Sequence, residues 1–189
     1  MKFRTLSVRS LLIAATAALV LGGCNSNAPK EEAKAAEPVS MGNEDLYEVV
    51  HDGRINVFYD RATYEEFLSL GETSFRLTRI GAGPNGETVV FGLTKDDKKK
   101  GAMTPGAMMW DGTLAPADDF YAELRNHGRI YVFNNMADME PVRAFGHPNF
   151  FYMEVGSGPK GETVVYVLNS KTKKKKPVEL IERFKKENS

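Results

Sequence analysis

Apolar and polar positions follow the same order in two stretches of the chain. Each stretch opens with an acidic segment whose apolar residues recur at helical spacing up to a glycine, NEDLYEVVHDG (residues 43–53) and PADDFYAELRNHG (residues 116–128). This pattern predicts a short helix. A strand follows (RINVFY, RIYVFN), then a second short helix (ATYEEFLSLG, ADMEPVRAFG) and two more strands. The apolar periodicity of KPVELIERFKK predicts a further helix at the C-terminus.

Nearly the same glycine-rich segment separates the last two strands of each stretch, GAGPNGET at 81–88 and GSGPKGET at 156–163. Phosphate-binding loops have similar glycine spacing, but they precede a helix, and in one version a lysine follows the last glycine. Here Glu87 and Glu162 take that position, and the β-branched runs TVVFGL and TVVYVL follow. We therefore predict two β-hairpins, with proline and glycine shaping the turns.

The similarity of the two stretches extends well beyond the hairpins. Shifting the chain by 75 residues aligns 49–101 with 124–176 without a gap, and 21 of the 53 aligned positions are identical. Because repeats decide the architecture, we interpret the match as a duplication. It predicts an α+β fold made of two tandem α-β-α-β-β repeats that form one pseudo-twofold domain, plus the C-terminal helix. The sheets of the two repeats either pair at an edge or pack face to face.

These patterns divide the chain into five segments. Repeat 1 covers 44–101, a linker that contains methionine and tryptophan covers 102–116, and repeat 2 with the C-terminal helix covers 117–189. Residues 24–43 lack a large apolar cluster, so we predict a flexible tether there. Residues 1–23 have three cations before an apolar run that is too short to cross a bilayer, which is typical of an export signal.

The end of this export signal, Leu21-Gly22-Gly23-Cys24, resembles the lipobox of bacterial lipoprotein signal peptides. The resemblance covers the leader alone. It implies cleavage before Cys24, a diacylglycerol on the Cys24 sulfur, an N-acyl chain such as palmitate on its amine, and stable membrane anchoring. Asn25, where an aspartate would favour the inner membrane, favours the outer membrane. The alternative is cleavage at the small residues 15–18, which would leave Cys24 as a plain thiol.

Composition narrows the choice of partners. The chain has 25 Lys plus Arg and 25 Asp plus Glu. Removing the leader subtracts three cations and no acids, which leaves 22 against 25. Nucleic-acid-binding domains are usually basic, so we do not expect a nucleic-acid partner. Apart from the covalent lipid on Cys24 we expect no cofactor.

Methionines and histidines are the residues that suggest metal chemistry. Met103, Met108 and Met109 lie together in the linker, and with His127 they are candidate ligands for Cu(I), which prefers sulfur. Methionine also fills cores and adaptable protein-binding surfaces, and Trp110 would suit such a surface or a ligand site. The three histidines have no histidine counterpart 75 residues away, so surface placement is the simpler interpretation of His127.

Two cationic features recur in both repeats. Arg54 and Arg129 are the first residues of equivalent strands. Either they bind an anion at the seam between the repeats, or they pair with nearby acids. Lysine runs at 98–100 and 173–176 follow equivalent strands. Either they contact anionic lipid headgroups, or they are solvated connections between elements. The seam itself is a common place for a ligand or partner, or it completes the core.

The chain contains no H-E-x-x-H, no G-x-S-x-G and no cysteine nucleophile. We therefore expect a non-enzymatic, membrane-anchored lipoprotein of the bacterial envelope that binds or positions another envelope component, most simply a protein. The alternative is a periplasmic binder of copper or of a small ligand that uses the methionines or the seam. An enzyme with a site built from acids and arginines is the weaker hypothesis.

Overall fold

Eight strands join into one mixed sheet in the part of the chain that the computed structural model describes, residues 40–189. The order across the sheet is β3-β4-β2-β1-β5-β6-β8-β7. The strands are β1 (Asp45–His51), β2 (Arg54–Phe58), β3 (Phe75–Arg79), β4 (Thr88–Leu93), β5 (Tyr121–Asn126), β6 (Arg129–Phe133), β7 (Phe150–Glu154) and β8 (Thr163–Leu168). The helices of this part are α1 (Arg61–Leu70), α2 (Pro105–Trp110), α3 (Glu140–Phe145) and α4 (Val178–Glu187). The predicted leader, Cys24 and the tether up to residue 39 lie outside the described residues.

The described residues have the predicted α+β class and C-terminal helix. The helix predicted from ATYEEFLSLG is α1, which begins after the N-cap Asp60 and ends at Gly71, where φ is 79°. The helix predicted from ADMEPVRAFG consists of a 3-10 turn at Met136–Met139 followed by α3. Both glycine-rich segments are hairpin loops, between β3 and β4 and between β7 and β8, as predicted.

The segments that were predicted to open each repeat as helices are strands instead. Residues 43–53 contain β1 and residues 116–128 contain β5, so the order α-β-α-β-β is wrong and both stretches have the order β-β-α-β-β. Because β1 and β5 are central strands buried on both faces, their apolar residues form a run that also fits helical spacing. The glycine interpreted as a helix end belongs to a two-residue hairpin turn, in which Asp52 and Gly53 have φ of 50° and 69°.

The two halves of the described chain, 44–101 and 117–189, pair edge to edge. β1 and β5 are parallel neighbours, with Asp45 opposite Tyr121 and Val49 opposite Arg125. The strands outside this pair follow the same pattern on both sides. β2 pairs antiparallel with β1, and β6 pairs antiparallel with β5. The next strands, β4 and β8, are parallel to β2 and β6 respectively, and β3 and β7 are the antiparallel edge strands. A single continuous sheet therefore spans both halves.

Helices cover both faces of the sheet, and a separate apolar cluster lies under each face. One cluster includes side chains of α2 and α3, and the other includes side chains of α1 and α4. Residues 75 positions apart occupy opposite faces. Ile55 belongs to the α2–α3 cluster and Ile130 to the α1–α4 cluster. Phe58 belongs to the α1–α4 cluster and Phe133 to the α2–α3 cluster.

The strand directions give the sheet two distinct ends. All four hairpin turns lie at one end, which we call the hairpin end; they follow β1, β3, β5 and β7. At the opposite end, which we call the entry end, the chain enters β1 at Asp45 and the lysine-containing segments leave β4 and β8. The predicted linker 102–116 begins at the entry end and contains α2, whose Met109 is buried in the α2–α3 cluster.

Candidate functional site

Two glutamates are completely buried in the two central strands. Glu48 lies in β1 and Glu123 in β5, 75 residues later, and neither is exposed. Side chains alternate between the faces of a strand, so Glu48 points to the α2–α3 face with Leu46, whereas Glu123 points to the α1–α4 face with Tyr121. A buried carboxylate is strongly destabilising unless it is paired and hydrogen-bonded. Both glutamates therefore need hydrogen-bond donors from the elements packed around them.

Arg143 on α3 is the partner of Glu48. Its Nε donates to both carboxylate oxygens, at 3.0 Å to Oε1 and 3.1 Å to Oε2, and one terminal nitrogen also donates to Oε1. The other terminal nitrogen donates to Glu140 at 2.7 Å. The guanidinium lies over the Trp110 ring, with Cζ 4.7 Å from the ring centre. Burial opposes the charge of Arg143, but the neighbouring Glu48 and Glu140 carboxylates outweigh it and raise the pKa of the guanidinium, which stays charged.

Glu123 is held by hydroxyl and amide donors on the other face. Tyr64 on α1 donates to Oε2 at 2.9 Å, and Tyr121 donates to Oε1 at 2.8 Å. Asn188, after α4, donates to Oε1 at 2.7 Å. Burial, and then the Glu123 charge, raise the pKa of both tyrosines well above the usual value near 10, so both remain donors. Arg125 completes the cluster by donating to the Tyr64 hydroxyl at 2.6 Å.

Each buried glutamate therefore accepts at least one hydrogen bond from a helix of the other half of the chain. Glu48 belongs to the first half and its partner α3 to the second, whereas Glu123 belongs to the second half and Tyr64 lies on α1 of the first. These contacts tie the halves across both faces of the sheet. All carboxylate oxygens of both residues accept hydrogen bonds from protein donors.

A cavity of about 260 Å³ lies at the seam between the halves, at the hairpin end. The Glu48–Arg143 pair is its inner wall, and the C-terminal end of α3 with Phe145 closes one side. The lining also contains polar groups of the β3–β4 loop and of the β5–β6 turn (Asn85, Glu87, Asn126 and His127) and apolar side chains of β1, β2, β5 and α3 (Val50, Ile55, Leu124 and Val142). Asn85 also donates to the Ala144 carbonyl at 3.3 Å, which connects the first hairpin loop to α3. The volume is just below the usual range of ligand pockets, about 300–1,000 Å³.

The two glycine-rich hairpin loops are each closed by a glutamate of the loop itself. In the second loop, Gly158 donates its backbone N–H to the Glu162 carbonyl at 3.0 Å, and the Glu162 carboxylate accepts the Lys160 N–H at 2.7 Å. Glu87 accepts the Asn85 N–H in the same way at 2.9 Å. Burial opposes ionisation of each glutamate, but these backbone N–H groups outweigh it and lower the pKa of both carboxylates. The glutamate therefore stabilises the turn.

Arg54 and Arg129, which we considered as anion ligands at the seam, do not meet there. Each precedes an isoleucine of a different cluster, so the two side chains belong to opposite faces of the sheet. Arg54 lines a cavity of about 330 Å³ between α1 and β3, together with Arg76, Glu72 and several threonines. Arg129 borders a smaller cavity of about 140 Å³ near the β5–β6 turn.

The candidate copper ligands are also dispersed. Met109 is buried in the core, Met103 is exposed at the entry end, and His127 lies in the β5–β6 turn at the hairpin end. Met108 lies on α2 and is partly buried, and Trp110 packs edge-on against Phe91 at 6.1 Å. Within residues 40–189, no group of three or more histidine, cysteine, aspartate or glutamate side chains is arranged to hold a metal ion.

Four large apolar side chains are exposed at equivalent positions of the two halves. Leu70 and Phe145 are the last residues of α1 and α3 and are 67% and 74% exposed. Ile80 and Val155 follow the last paired residues of β3 and β7 at the hairpin end and are 90% and 79% exposed. α1 runs towards the hairpin end, because Phe67 contacts the His51 ring at 6.4 Å. Each half thus exposes one apolar residue at the end of its helix and another at the hairpin end.

Sequence reasoning did not identify Glu48, Glu123 or Arg143. One signal was present: Glu48 and Glu123 are identical at the 75-residue shift, just before the aligned stretch. A single carboxylate inside an apolar strand indicates a buried, partnered acid. The partners carry no such signal, because Arg143 is aligned with Leu68 and Tyr64 with Met139.

Within residues 40–189, the structure contains no helix that combines the length and apolar character needed to span a membrane. Comparison of the chain with protein-family models, with curated proteins and with solved structures finds no match.

Proposed function

We propose that the chain is an envelope lipoprotein, anchored in the outer membrane through acyl chains on Cys24, whose folded part is a non-enzymatic module that binds another envelope protein. The lipobox Leu21-Gly22-Gly23-Cys24 supports the anchor. Residues 24–43 would serve as the tether, and 16 positions separate Cys24 from Ser40, the first described residue. Such a segment reaches at most about 55 Å when fully extended. Confinement at this distance raises the effective concentration of the module near its partners.

We further propose that the module consists of two duplicated β-β-α-β-β units related by a pseudo-twofold axis that lies in the sheet, parallel to the strands. Equivalent strands have equivalent neighbours, as in the His51–Arg54 and Asn126–Arg129 pairs that close the first hairpin of each half. A rotation about such an axis exchanges the two faces of the sheet. This accounts for the placement of equivalent residues, such as Ile55 and Ile130, in opposite clusters.

The observation that carries the binding role is the recurrence of exposed apolar side chains at matching positions of both halves, Leu70 and Ile80 in the first and Phe145 and Val155 in the second. Exposed apolar side chains are common singly, but here they recur at equivalent positions of both halves. They lie away from the end at which the chain enters from the proposed anchor. A partner in the envelope can therefore reach them while the protein is tethered.

The non-enzymatic part of the proposal rests on how the buried charges are used. Glu48 and Glu123 are the most deeply buried acids of the described chain, and protein donors occupy their oxygens. Their geometry is that of a structural tie rather than of a poised acid or base.

Site-specific photo-crosslinking in cells tests the binding role. A photoreactive residue is placed at Ile80 or, separately, at Val155, and Met103, an exposed apolar residue of the entry end, provides the matched control position. We expect Ile80 and Val155 to give a covalent adduct with the same protein and Met103 to give none. The proposal is overturned if neither hairpin-end position forms a protein adduct. Intact-mass analysis of the membrane fraction tests the anchor separately, and an unacylated N-terminus would refute it.

A further inference from the structure

The two lysine-rich segments form ordered turns at the entry end of the sheet. They contain nine exposed lysines and two aspartates over residues 95–100 and 171–176. Each segment is a turn fixed by a side chain. Thr94 donates to Asp97 at 2.9 Å, and Asn169 accepts the Lys171 N–H at 3.0 Å. The lysines are therefore held on structured turns, and a purely solvated connection would not need these bonds.

One lysine of each segment packs on an aromatic ring in the same way. The Lys98 ammonium lies 5.3 Å from the Phe75 ring centre, and the Lys173 ammonium lies 4.2 Å from that of Phe150. Both the lysines and the phenylalanines are 75 residues apart. This contact directs the lysine stems along the first residue of each edge strand.

The two lysine segments lie on either side of the point where the chain enters the fold. They follow β4 and β8, which are five strand positions apart in the sheet, or about 24 Å at the usual spacing. The chain enters between them, into the central strand β1. Asp118 and Asp119 are exposed between the segments, whereas Asp45 is paired with Arg183 at 3.1 Å. The positive charge is thus concentrated at the two sides of the entry end.

Exposed apolar side chains accompany the lysines at the entry end. Met41 precedes β1, Met103 follows the first lysine segment, and Val178 follows the second, and each is more than half exposed. Lysines combined with protruding apolar side chains are typical of surfaces that lie on a bilayer, because the cations attract anionic headgroups while the apolar groups enter the interface.

We infer that the entry end is a docking surface for an anionic phospholipid bilayer. In this arrangement the lysine segments contact phosphate groups at two places about 24 Å apart. The hairpin end then points away from the bilayer. The inference deepens the proposed function, on which its orientation rests, because it specifies how the module stands on the membrane that holds its anchor.

Vesicle binding of the chain without its anchor tests this inference. The segment Asn25–Ser189 contains all eight strands and both apolar clusters and lacks the acylated cysteine. It is mixed with vesicles of phosphatidylglycerol and phosphatidylcholine, or of phosphatidylcholine alone, and bound protein is measured by sedimentation. We expect binding to the anionic vesicles that weakens steeply as salt shortens the Debye length below about 10 Å.

A matched pair of triple variants locates the surface. Among the described residues, Lys99, Lys174 and Lys175 have no salt-bridge partner, so K99Q/K174Q/K175Q removes three charges without removing an internal contact. The control R54Q/R129Q/K160Q removes three exposed cations from the hairpin end. We expect roughly tenfold or greater loss of vesicle affinity for the lysine variant and little change for the control. Thermal unfolding followed by circular dichroism confirms that both variants are folded.

Three results would overturn the inference: equal binding to neutral vesicles, equal losses in the two triple variants, or no vesicle binding at all. Displacement by soluble glycerophosphoglycerol would also contradict it, since this would indicate a headgroup pocket instead of a surface. Because Asn25–Ser189 carries no acyl chain, failure of this experiment leaves the anchor and the photo-crosslinking result unaffected. Conversely, an unacylated native protein would leave the vesicle result intact.

Discussion

The buried ion pair between Glu48 and Arg143 gives the most demanding test of the structure. Replacing Arg143 with methionine keeps the aliphatic volume and removes the guanidinium. Glu48 is then left in β1 without a charged donor, with no exposure to water. Breaking a buried pair from one side usually lowers the free energy of unfolding by about 3–5 kcal/mol. For a folded unit of this size, that corresponds to a fall in melting temperature of roughly 6–20 °C.

The reverse substitution and the double variant separate the ion pair from simple packing. E48M leaves Arg143 with its contacts to Glu140 and Trp110, so we expect a smaller loss than for R143M. In E48M/R143M both charges are absent, and a buried pair replaced by apolar side chains is often neutral or stabilising. We therefore expect the double variant to lie within about 1 kcal/mol of the parent chain, so that the two changes couple strongly.

Urea unfolding is the suitable assay, followed by circular dichroism and by the fluorescence of Trp110, the single tryptophan of the chain. Its ring contacts the Arg143 guanidinium, so its emission also reports loss of that contact in the folded state. R183M is the matched control, because the Arg183–Asp45 pair is partly exposed and such pairs contribute about 0–1 kcal/mol. An R143M loss no larger than that of R183M, or a double variant less stable than R143M, would refute the reasoning.

Three further variants test the other polar contacts. In G158A the added Cβ would lie 2.6 Å from Glu162 Oε2, so we expect a loss of about 1–3 kcal/mol in thermal unfolding, whereas S157A in the same loop should change little. Y64F removes the hydroxyl that links Glu123 to Arg125, and we expect urea unfolding to show a loss of stability of about 1–3 kcal/mol. Y152F, at a partly exposed ring, is the control. A smaller loss for Y64F than for Y152F would contradict the role of Tyr64 as a donor to Glu123. E162Q tests the carboxylate that closes the second hairpin loop. The pKa of Glu162 is lowered in the folded chain, so the ionised carboxylate stabilises the fold above the usual pKa of about 4.3, and this stabilisation is lost as the pH falls through the folded pKa. We expect E162Q to be about 1 kcal/mol less stable than the parent chain at pH 7 and equally stable in acid. A difference in stability that does not depend on pH would refute this role of Glu162.

The elements with a strong local signal could be predicted from the sequence. α1 has a side-chain N-cap and a glycine at its end, and the hairpin loops have proline and glycine at turn positions next to β-branched runs. In these segments local propensity and the tertiary structure favour the same conformation. The C-terminal helix could also be predicted, from the spacing of Val178, Ile181 and Phe184. In the structure Ile181 and Phe184 are buried together with Leu180, whereas Val178 is half exposed.

β1 and β5 were misassigned because the decisive information is not local. Leu46, Val49 and Val50 fit the spacing of a helix, and only the sheet order places both faces of β1 against packed side chains. The one local signal that favoured a strand was Asp52-Gly53 between apolar runs, a strong indication of a two-residue hairpin turn. The sheet order also decided between edge pairing and face-to-face packing, which no local pattern could do.

The partners of the two buried glutamates show why the candidate site could not be predicted from the similarity between the two stretches. Both halves have a buried carboxylate at the matching position, yet the first half supplies a tyrosine hydroxyl to Glu123 and the second half supplies a guanidinium to Glu48. The residue equivalent to Tyr64 is Met139, whose sulfur contacts Arg143 from the preceding turn at 3.9 Å. The position that satisfies the carboxylate has thus moved by one helical turn between the halves. A comparison of aligned positions finds the acids, which need a partner, but misses the partners, because any donor that reaches the carboxylate meets the same requirement.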